Sequence, residues 1–337
     1  MSRARADSGG GRPPVAFLAW TDRTERADEI AASLGGVARR FDGNGLRGRA
    51  TAPLRYVLNT AATAWWLARH RPRAVITQNP PVFLGIVAWL YGLVVRVPVL
   101  LDSHPASFGR KDAGIWRLLL PVHRFLAVRA RLVLVTGAEL ADEVREWGGA
   151  AAEVHEAPPV GLQATPSLEL DGHRLQVFYV GVFAPDEPVA AVVEAARRVP
   201  DVDVLVTGDL RRAPAGLIDG APDNVKFVGF LQRDAYRRGL ADAHAVMALT
   251  TDPTSVVRSG YEAVYAGRPL LTSDWPVLRE TFPYAVHVAG RPAELAAALE
   301  SLRQRYADLR SGTAAALAHQ EATWTNQRAA IEEAIRS

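Results

Sequence analysis

The chain has 337 residues, 49% of them hydrophobic and 22% charged, an ordinary globular balance with enough apolar material for two domains. The net charge is only +3, so composition gives no support for a nucleic-acid partner, although the many arginines leave a mild attraction to anionic surfaces. There is no cysteine, which excludes disulfides, thiolate nucleophiles and Cys-ligated metals.

Residues 1–13 are rich in Gly, Ser and Arg and lack the apolar core of a signal peptide. This composition predicts a disordered extension without an export signal. A cytoplasmic location is therefore expected.

From residue 14 onward, short apolar runs alternate with helical patterns, which is typical of βαβ units and a parallel sheet. Pro14–Trp20 is the first predicted strand. The pattern then predicts a helix at 24–36, a helix at 54–72, a strand at 73–81, a helix at 83–95, a strand at 97–101, and a strand, turn and helix within 130–149.

The stretch from Pro80 to Asp102 is apolar apart from Arg96. A membrane-spanning helix needs about 20 uninterrupted apolar residues, and Arg96 and Pro98 interrupt this run too early. We interpret it as a buried helix and strand. A helix lying in the plane of a bilayer interface is the alternative.

Residues 161–174 are rich in Pro, Gly and polar residues and are predicted to be a linker. Strands and helices alternate again after it, which predicts a second domain at 175–315 to match the first at 14–160. The fold class is therefore α/β, with two doubly wound parallel-sheet domains.

In such sheets, ligands bind beyond the carboxyl ends of the strands. A diphosphate would suit this edge, because glycines permit close approach and the helix after Ser259 and Gly260 would direct its positive end there. The candidate binding residues in the second half are Gly181, Phe183, Gly208, Asp209, Leu231, Ser255, Arg258, Ser259, Gly260 and Glu262.

Glu262 lies alone among small and apolar residues, so hydrogen-bond donors are expected around its carboxylate. Neither half contains a G-x-G-x-x-G or a G-x-x-x-x-G-K-[ST] pattern, so dinucleotide-dependent redox chemistry and P-loop hydrolysis are poorly supported. No histidine spacing indicates a metal site.

The strand NVKFVG, followed by a helix, a strand and then EAVYAGRP, resembles the donor-binding half of GT-B glycosyltransferases of the family 4 type. The resemblance is good over 175–274 and looser over the whole chain. It implies a nucleoside diphosphate sugar as co-substrate, without a further cofactor. It also implies that Glu262 accepts hydrogen bonds from the ribose hydroxyls.

Two parts of that family pattern are missing. Thr254 stands where a second glutamate often occurs, and the Arg and Lys that grip the phosphates are replaced by a loop with Phe183, Asp186 and Glu187. Arg258 either neutralises the phosphates instead or is a surface arginine. Asp186 or Glu187 is predicted to cap the helix that follows.

The first half, with QNPP after one strand and DSH after the next, resembles the acceptor domain of lipid-linked-sugar mannosyltransferases of the chitobiosyl-diphosphodolichol type. The resemblance implies that His104 reaches the donor and that Asp102 orients it or acts as a base. A loop histidine bonded to backbone is the alternative for His104. A closing helix at 316–337, with Trp324 as an anchor, is expected to pack on the first domain.

The leading hypothesis is a glycosyltransferase that moves a hexose from a UDP or GDP sugar to a lipid-linked or polysaccharide acceptor. Its first domain is expected to contact the inner face of the cytoplasmic membrane without crossing it. A GT-B epimerase or phosphorylase is a second enzymatic hypothesis. A degenerate GT-B domain that serves as a scaffold is the non-enzymatic alternative.

Overall fold

The chain divides into two compact units, unit 1 at 1–160 with 323–337 and unit 2 at 161–322. Of the predicted extension 1–13, all but Pro13 lies outside the described residues. The computed structural model describes residues 13–21, 24–43, 45–46, 48, 50–110, 114–166, 168–170 and 174–337.

Unit 1 contains a six-stranded parallel sheet in the order β2-β1-β3-β4-β5-β6. The strands are β1 Ala16–Ala19, β2 Val37–Arg40, β3 Val75–Asn79, β4 Val99–Ser103, β5 Leu132–Val135 and β6 Ala151–Glu153. The helices are α1 Glu25–Ser33, α2 Ala52–His70, α3 Val82–Val95, α4 Leu120–Arg129 and α5 Ala138–Glu146. Strands β1, β4 and β5 are fully buried, which explains their nearly continuous apolar runs.

Unit 2 contains a second six-stranded parallel sheet, in the order β12-β11-β10-β7-β8-β9. The strands are β7 Leu175–Tyr179, β8 Val202–Thr207, β9 Val225–Gly229, β10 Ala245–Ala248, β11 Leu270–Ser273 and β12 Val286–Val288. The helices are α6 Val189–Arg198, α7 Arg233–Asp242, α8 Arg258–Tyr265, α9 Pro276–Thr281, α10 Pro292–Gln304 and α11 Tyr306–Ser311. The last helix, α12 Thr313–Arg336, begins in unit 2 and ends in unit 1.

Both sheets carry core clusters on their two faces, so the prediction of two doubly wound parallel-sheet domains is confirmed. In unit 2 the chain proceeds from β7 outward to β9 and then from β10 outward to β12. The strand order therefore reverses between β7 and β10. Loops that leave neighbouring strands at such a reversal diverge and open a crevice at the carboxyl edge.

The segment predicted as a linker, 161–174, packs on unit 2 wherever it is described; residues 167 and 171–173 lie outside the described residues. Arg268 is buried and donates to the carbonyls of Thr165 and Pro166 and to those of Leu240 and Ala241. The guanidinium of Arg268 thus supplies hydrogen-bond donors to carbonyls of this segment, and its role as a linker stays a prediction.

Helix α12 closes the chain. Its C-terminal part contributes Trp324 and Ile331 to the core of unit 1 that also contains Phe17 and Ile30. Trp324 is 6% exposed and so is a packing residue.

The apolar stretch around α3 folds as a helix and a strand, β4. Among the described residues, no helix combines the length and the apolar character that a membrane span requires.

Replacing Arg268 with Leu is expected to lower the free energy of unfolding by about 3 kcal/mol, because several buried carbonyls lose their donor. Urea denaturation measures the change. The control is Arg279→Ala, at an exposed arginine paired with Asp274, which should cost less than about 1 kcal/mol. Equal costs for the two variants would contradict the role assigned to Arg268.

Candidate functional site

Hydrogen bonds tie the loop after β7 to the loop after β10, the two loops at the strand-order reversal of unit 2. The Asp186 carboxylate accepts a hydrogen bond from the Thr250 hydroxyl at 2.8 Å, and the backbone carbonyl of Asp186 accepts one from the Thr251 amide at 2.7 Å. The Trp275 indole donates to the Thr250 carbonyl at 3.0 Å. The edge where a ligand is expected is therefore held in one arrangement.

Three predicted binding residues pack together at this edge. Phe183 has a φ of +56°, unusual for a bulky residue, and it is buried against Phe227. A Cβ on Gly208 would lie 2.7 Å from the Phe183 ring, so only glycine fits there. The Gly181 amide donates to the Thr207 hydroxyl at 3.0 Å. The loop is therefore a fixed turn.

The backbone N–H groups of that turn bind the side-chain carboxylate of Glu187, which lies where a ligand anion could otherwise bind. Glu187 accepts from the Val182 amide at 2.8 Å and from the Ala184 amide at 3.1 Å. Burial raises the pKa of Glu187, against the opposing effect of these N–H groups. The predicted helix cap is wrong for both Asp186 and Glu187, because α6 begins after Pro188 without a side-chain cap.

Glu262 lies in the second turn of α8 and is 9% exposed. The Tyr236 hydroxyl of α7 donates to one carboxylate oxygen at 2.5 Å, and Arg258 Nε donates to the other at 3.2 Å. These are the donors that the isolated carboxylate required. A carboxylate accepts about four hydrogen bonds, so both contacts are compatible with a bound diol.

Helix α8 starts earlier than predicted, so Arg258, Ser259 and Gly260 form its first turn. Val257 precedes it without a side-chain cap, and Ser255 lies in the loop before it. A Cβ on Gly260 would lie 2.7 Å from the Phe282 ring, which explains the glycine by helix packing. First-turn N–H groups without a side-chain cap form an electropositive end that suits an anion.

Two predicted residues take other roles. Asp209 forms an exposed ion pair with Arg211 at 2.7 Å, and that partner lowers the pKa of Asp209 to about 2. Leu231 is half-buried and packs on the core cluster that contains Phe178. Neither contacts Glu262 through a described hydrogen bond, so the site centres on the loop after β7 and the start of α8.

In unit 1, Asp102 ends up as a buried anion. Arg26 of α1 donates to it through Nη2 at 2.9 Å and through Nε at 3.1 Å. Burial opposes the charge, but Arg26 and His104 hold the pKa of Asp102 well below its usual range. A carboxylate this acidic is a poor base, so the structure favours the alternative in which Asp102 orients His104.

His104 follows β4 and its side chain is 30% exposed. Its Nε2 lies 3.5 Å from Asp102 Oδ2 and 3.4 Å from Gln78 Nε2. The imidazole is thus held by side chains, in contrast to the alternative of a histidine bonded only to backbone. Its approach to the donor stays a prediction.

The sequence did not predict that Tyr236 would bind Glu262 or that Arg26 would bind Asp102. It also did not predict that Glu187 would accept hydrogen bonds from its own loop. A buried carboxylate such as Asp102 needs a positively charged partner, and this requirement was the only indication that an arginine like Arg26 would lie nearby. Tyr236 is 26 residues before Glu262 in the chain, so no local pattern links them.

Within the described ranges, no group of His, Asp and Glu side chains is arranged to hold a metal ion. A pocket of unit 2 lined by Arg268, Phe282, Tyr284 and His319 does not include Glu262 or the loop after β7. The candidate site at the carboxyl edge of the sheet is therefore separate from this pocket.

Replacing Arg26 with Leu is expected to cost about 3–5 kcal/mol of unfolding free energy at neutral pH, because Asp102 would be left as an unpaired buried charge. The control Arg40→Leu breaks the exposed pair with Asp28 and should cost less than about 1 kcal/mol.

The cost of Arg26→Leu should shrink as the pH falls. In the native protein the depressed pKa of Asp102 contributes stability above its unfolded pKa of about 3.9, and this contribution is lost in acid. In the variant, protonation of Asp102 relieves the buried charge. Urea denaturation across pH measures both curves, and a constant gap would contradict this account.

Comparisons with known proteins agree with this architecture. Residues 11–159 match the family described as glycosyl transferase 4-like domain, and residues 189–333 match the family described as glycosyl transferase-like. No curated protein sequence matches the chain. The narrower resemblance to lipid-linked-sugar mannosyltransferases stays a prediction.

Solved structures share the fold at low sequence identity. Sucrose-phosphate synthase from Thermosynechococcus elongatus has a TM-score of 0.64 at 17% identity, over 95% of this chain and 100% of that chain. Anabaena HepE in complex with UDP and glucose has a TM-score of 0.67 at 16% identity, over 96% and 100%. The UDP-forming alpha,alpha-trehalose-phosphate synthase from Burkholderia xenovorans has a TM-score of 0.66 at 12% identity, over 96% and 99%. The chain thus has the GT-B fold, and each of its halves matches a glycosyltransferase family model, 4-like in the first half.

Proposed function

We propose that the protein transfers a hexose from a nucleoside diphosphate sugar to a lipid-linked or polysaccharide acceptor. The observation that carries this proposal is the position of Glu262. Its carboxylate lies in α8 beside the strand-order reversal of unit 2, held by Tyr236 and Arg258. A fixed anionic acceptor suits the vicinal hydroxyls of a ribose.

The donor diphosphate would lie at the start of α8. The first-turn N–H groups and the positive end of the helix dipole stabilise the charge that develops on the departing nucleoside diphosphate. UDP is the favoured nucleotide, with support from the HepE complex with UDP and glucose. GDP is the alternative.

Unit 1 would supply the acceptor side. His104 can donate a hydrogen bond or a proton as negative charge develops, and its Nε2 lies 3.5 Å from the Asp102 carboxylate. A lipid-linked acceptor would place the protein in the cytoplasm at the inner face of the membrane. The acceptor is proposed from the resemblance of the first half to lipid-acceptor enzymes.

A non-catalytic scaffold is the second candidate function. The observation that favours it is the carboxylate of Glu187 in the loop after β7, where a cation would help to bind phosphates.

A thermal-shift screen against UDP, GDP, ADP and their sugars identifies the nucleotide, since a ligand that binds the native state raises the Tm. Hydrolysis of a nucleotide sugar then separates the two functions, because a scaffold turns over no donor.

Replacing Glu262 with Ala is expected to weaken nucleoside diphosphate binding by more than about 1.5 kcal/mol, roughly tenfold in Kd, because the ribose loses a charged acceptor. Calorimetric titration measures the affinity. Glu300→Ala, at a helix position paired with Arg303, is the control and should leave the Kd unchanged. An unchanged Kd in a folded Glu262→Ala protein would remove this residue from the site.

Replacing His104 with Ala is expected to lower kcat about a hundredfold or more with nearly unchanged nucleotide affinity, because the residue acts on the reaction and the nucleoside binds unit 2. Steady-state kinetics with the donor found in the screen measures both. His70→Ala, at a helix end remote in sequence from β4, is the matched control. Near-normal turnover would make His104 a structural residue.

A further inference from the structure

Three neighbouring helices of unit 1 present apolar side chains to solvent. Helix α3 packs between α2 and α4, and ring contacts join them: Tyr56 lies 5.3 Å from Phe83, and Trp89 lies 5.1 Å from Phe125. The outward side of this layer is defined here as the apolar face. It consists of Leu54, Val57, Trp65, Leu90, Leu93, Val94, Phe125 and Val128 on the helices, together with Leu118 in the turn before α4.

The exposure of these side chains is large. Trp65 is 66% exposed, Val94 is 83% exposed and Leu118 is 79% exposed. On α3, Leu90, Leu93 and Val94 follow helical spacing, so they form one stripe on the side away from the sheet. Contiguous apolar surface of this kind on a soluble protein marks an interaction site.

The charge of the layer has one sign. No Asp or Glu occurs between Asp42 and Asp102, a range that includes all of α2 and α3, and α4 contains none either. Arginine stands at the C-terminal end of each helix, as Arg69, Arg96 and Arg129. The Arg129 guanidinium lies 3.8 Å from the Phe125 ring centroid.

The topology brings these arginines to one edge. Helices α2, α3 and α4 each connect parallel strands of the same sheet, so all three run opposite to the strands and end at the same edge. Val94 and Val128 lie in the last turns of α3 and α4. The edge therefore combines apolar side chains with a row of cations.

We propose that the apolar face docks on a lipid bilayer whose headgroups are anionic. The aliphatic side chains would enter the boundary between headgroups and acyl chains, and the arginines would meet the lipid phosphates. This inference deepens the proposed function by naming the partner that carries the acceptor, and it rests on the acceptor being lipid-borne.

Charge complementarity selects the bilayer over a second copy of the chain. In a two-fold dimer the same face would meet itself, and the arginine rows would face each other without any acidic partner in the layer. An anionic bilayer offers both an apolar interior and a continuous layer of negative charge. A bilayer of this kind can therefore contact both the apolar side chains and the arginines of the face.

The test uses the full chain and vesicles of phosphatidylcholine with or without phosphatidylglycerol, in a sedimentation assay. The protein should bind the anionic vesicles, bind pure phosphatidylcholine much more weakly, and dissociate as salt screens the charges. The double variant Leu93→Glu/Val94→Glu should partition at least about tenfold less, since each substitution puts a charge where the acyl boundary lies.

Phe230→Glu is the matched control, because Phe230 is 60% exposed on unit 2 and lies outside the apolar face. It should bind vesicles like the unsubstituted protein. Circular dichroism and thermal melting confirm that each variant folds, and Arg96→Glu/Arg129→Glu tests the charge without altering the apolar side chains.

Equal partition of the Leu93→Glu/Val94→Glu variant and the unsubstituted protein would overturn the proposal. So would indifference to vesicles, or a dimer that this variant converts to a monomer, since a second copy would then cover the face. Donor hydrolysis measured without vesicles keeps the two proposals apart. Vesicle binding without any donor turnover would remove the proposed function and leave the docking surface standing.

Discussion

The hydrogen bonds between Asp186 and the loop after β10 are the interaction on which the candidate site depends. In a parallel sheet, the loops at a strand-order reversal leave in different directions and nothing in the sheet holds them together. Asp186 joins them through its carboxylate to Thr250 and through its carbonyl to Thr251. These bonds connect the Phe183 turn, which its own contacts with Thr207 and Phe227 fix, to the loop that leads into α8.

The same edge has an unusual charge balance. Glu187 occupies backbone N–H groups of the Phe183 turn, and Arg258 pairs with Glu262. A diphosphate at this edge would therefore meet a carboxylate on one side and a partly neutralised arginine on the other. Burial raises the pKa of Glu187, so its negative charge is less favourable there than in water. The helix dipole of α8 then becomes the main fixed source of positive potential.

The sequence predicted the fold because apolar runs and helical periodicity are local, and it predicted that Glu262 needs donors because a carboxylate among apolar residues is costly. It could not name those donors, since Tyr236 comes from a helix that only tertiary packing brings close. The helix-cap prediction for Asp186 and Glu187 was wrong because both carboxylates have other partners: Asp186 accepts from Thr250 in the loop after β10, and Glu187 accepts from the Val182 amide in its own loop. The composition of 161–174 could not reveal its contact with Arg268, because that arginine lies about a hundred residues further along the chain.

Each unit has a carboxylate that pairs with an arginine near the carboxyl edge of its sheet: Asp102 with Arg26 in unit 1, and Glu262 with Arg258 in unit 2. The two pairs differ in ways that suit different roles for the two carboxylates. Asp102 is buried and accepts three hydrogen bonds from Arg26, which stabilise its ionised form. An ionised carboxylate held in this way suits the orientation of His104 better than proton transfer. Glu262, in the second turn of α8, accepts a hydrogen bond from Arg258 Nε at 3.2 Å and one from the Tyr236 hydroxyl. A ligand hydroxyl can join the second arrangement without breaking a buried bidentate pair, whereas joining the first would cost several kcal/mol. The difference between the two pairs therefore favours the predictions that Glu262 binds the ligand and that Asp102 positions His104.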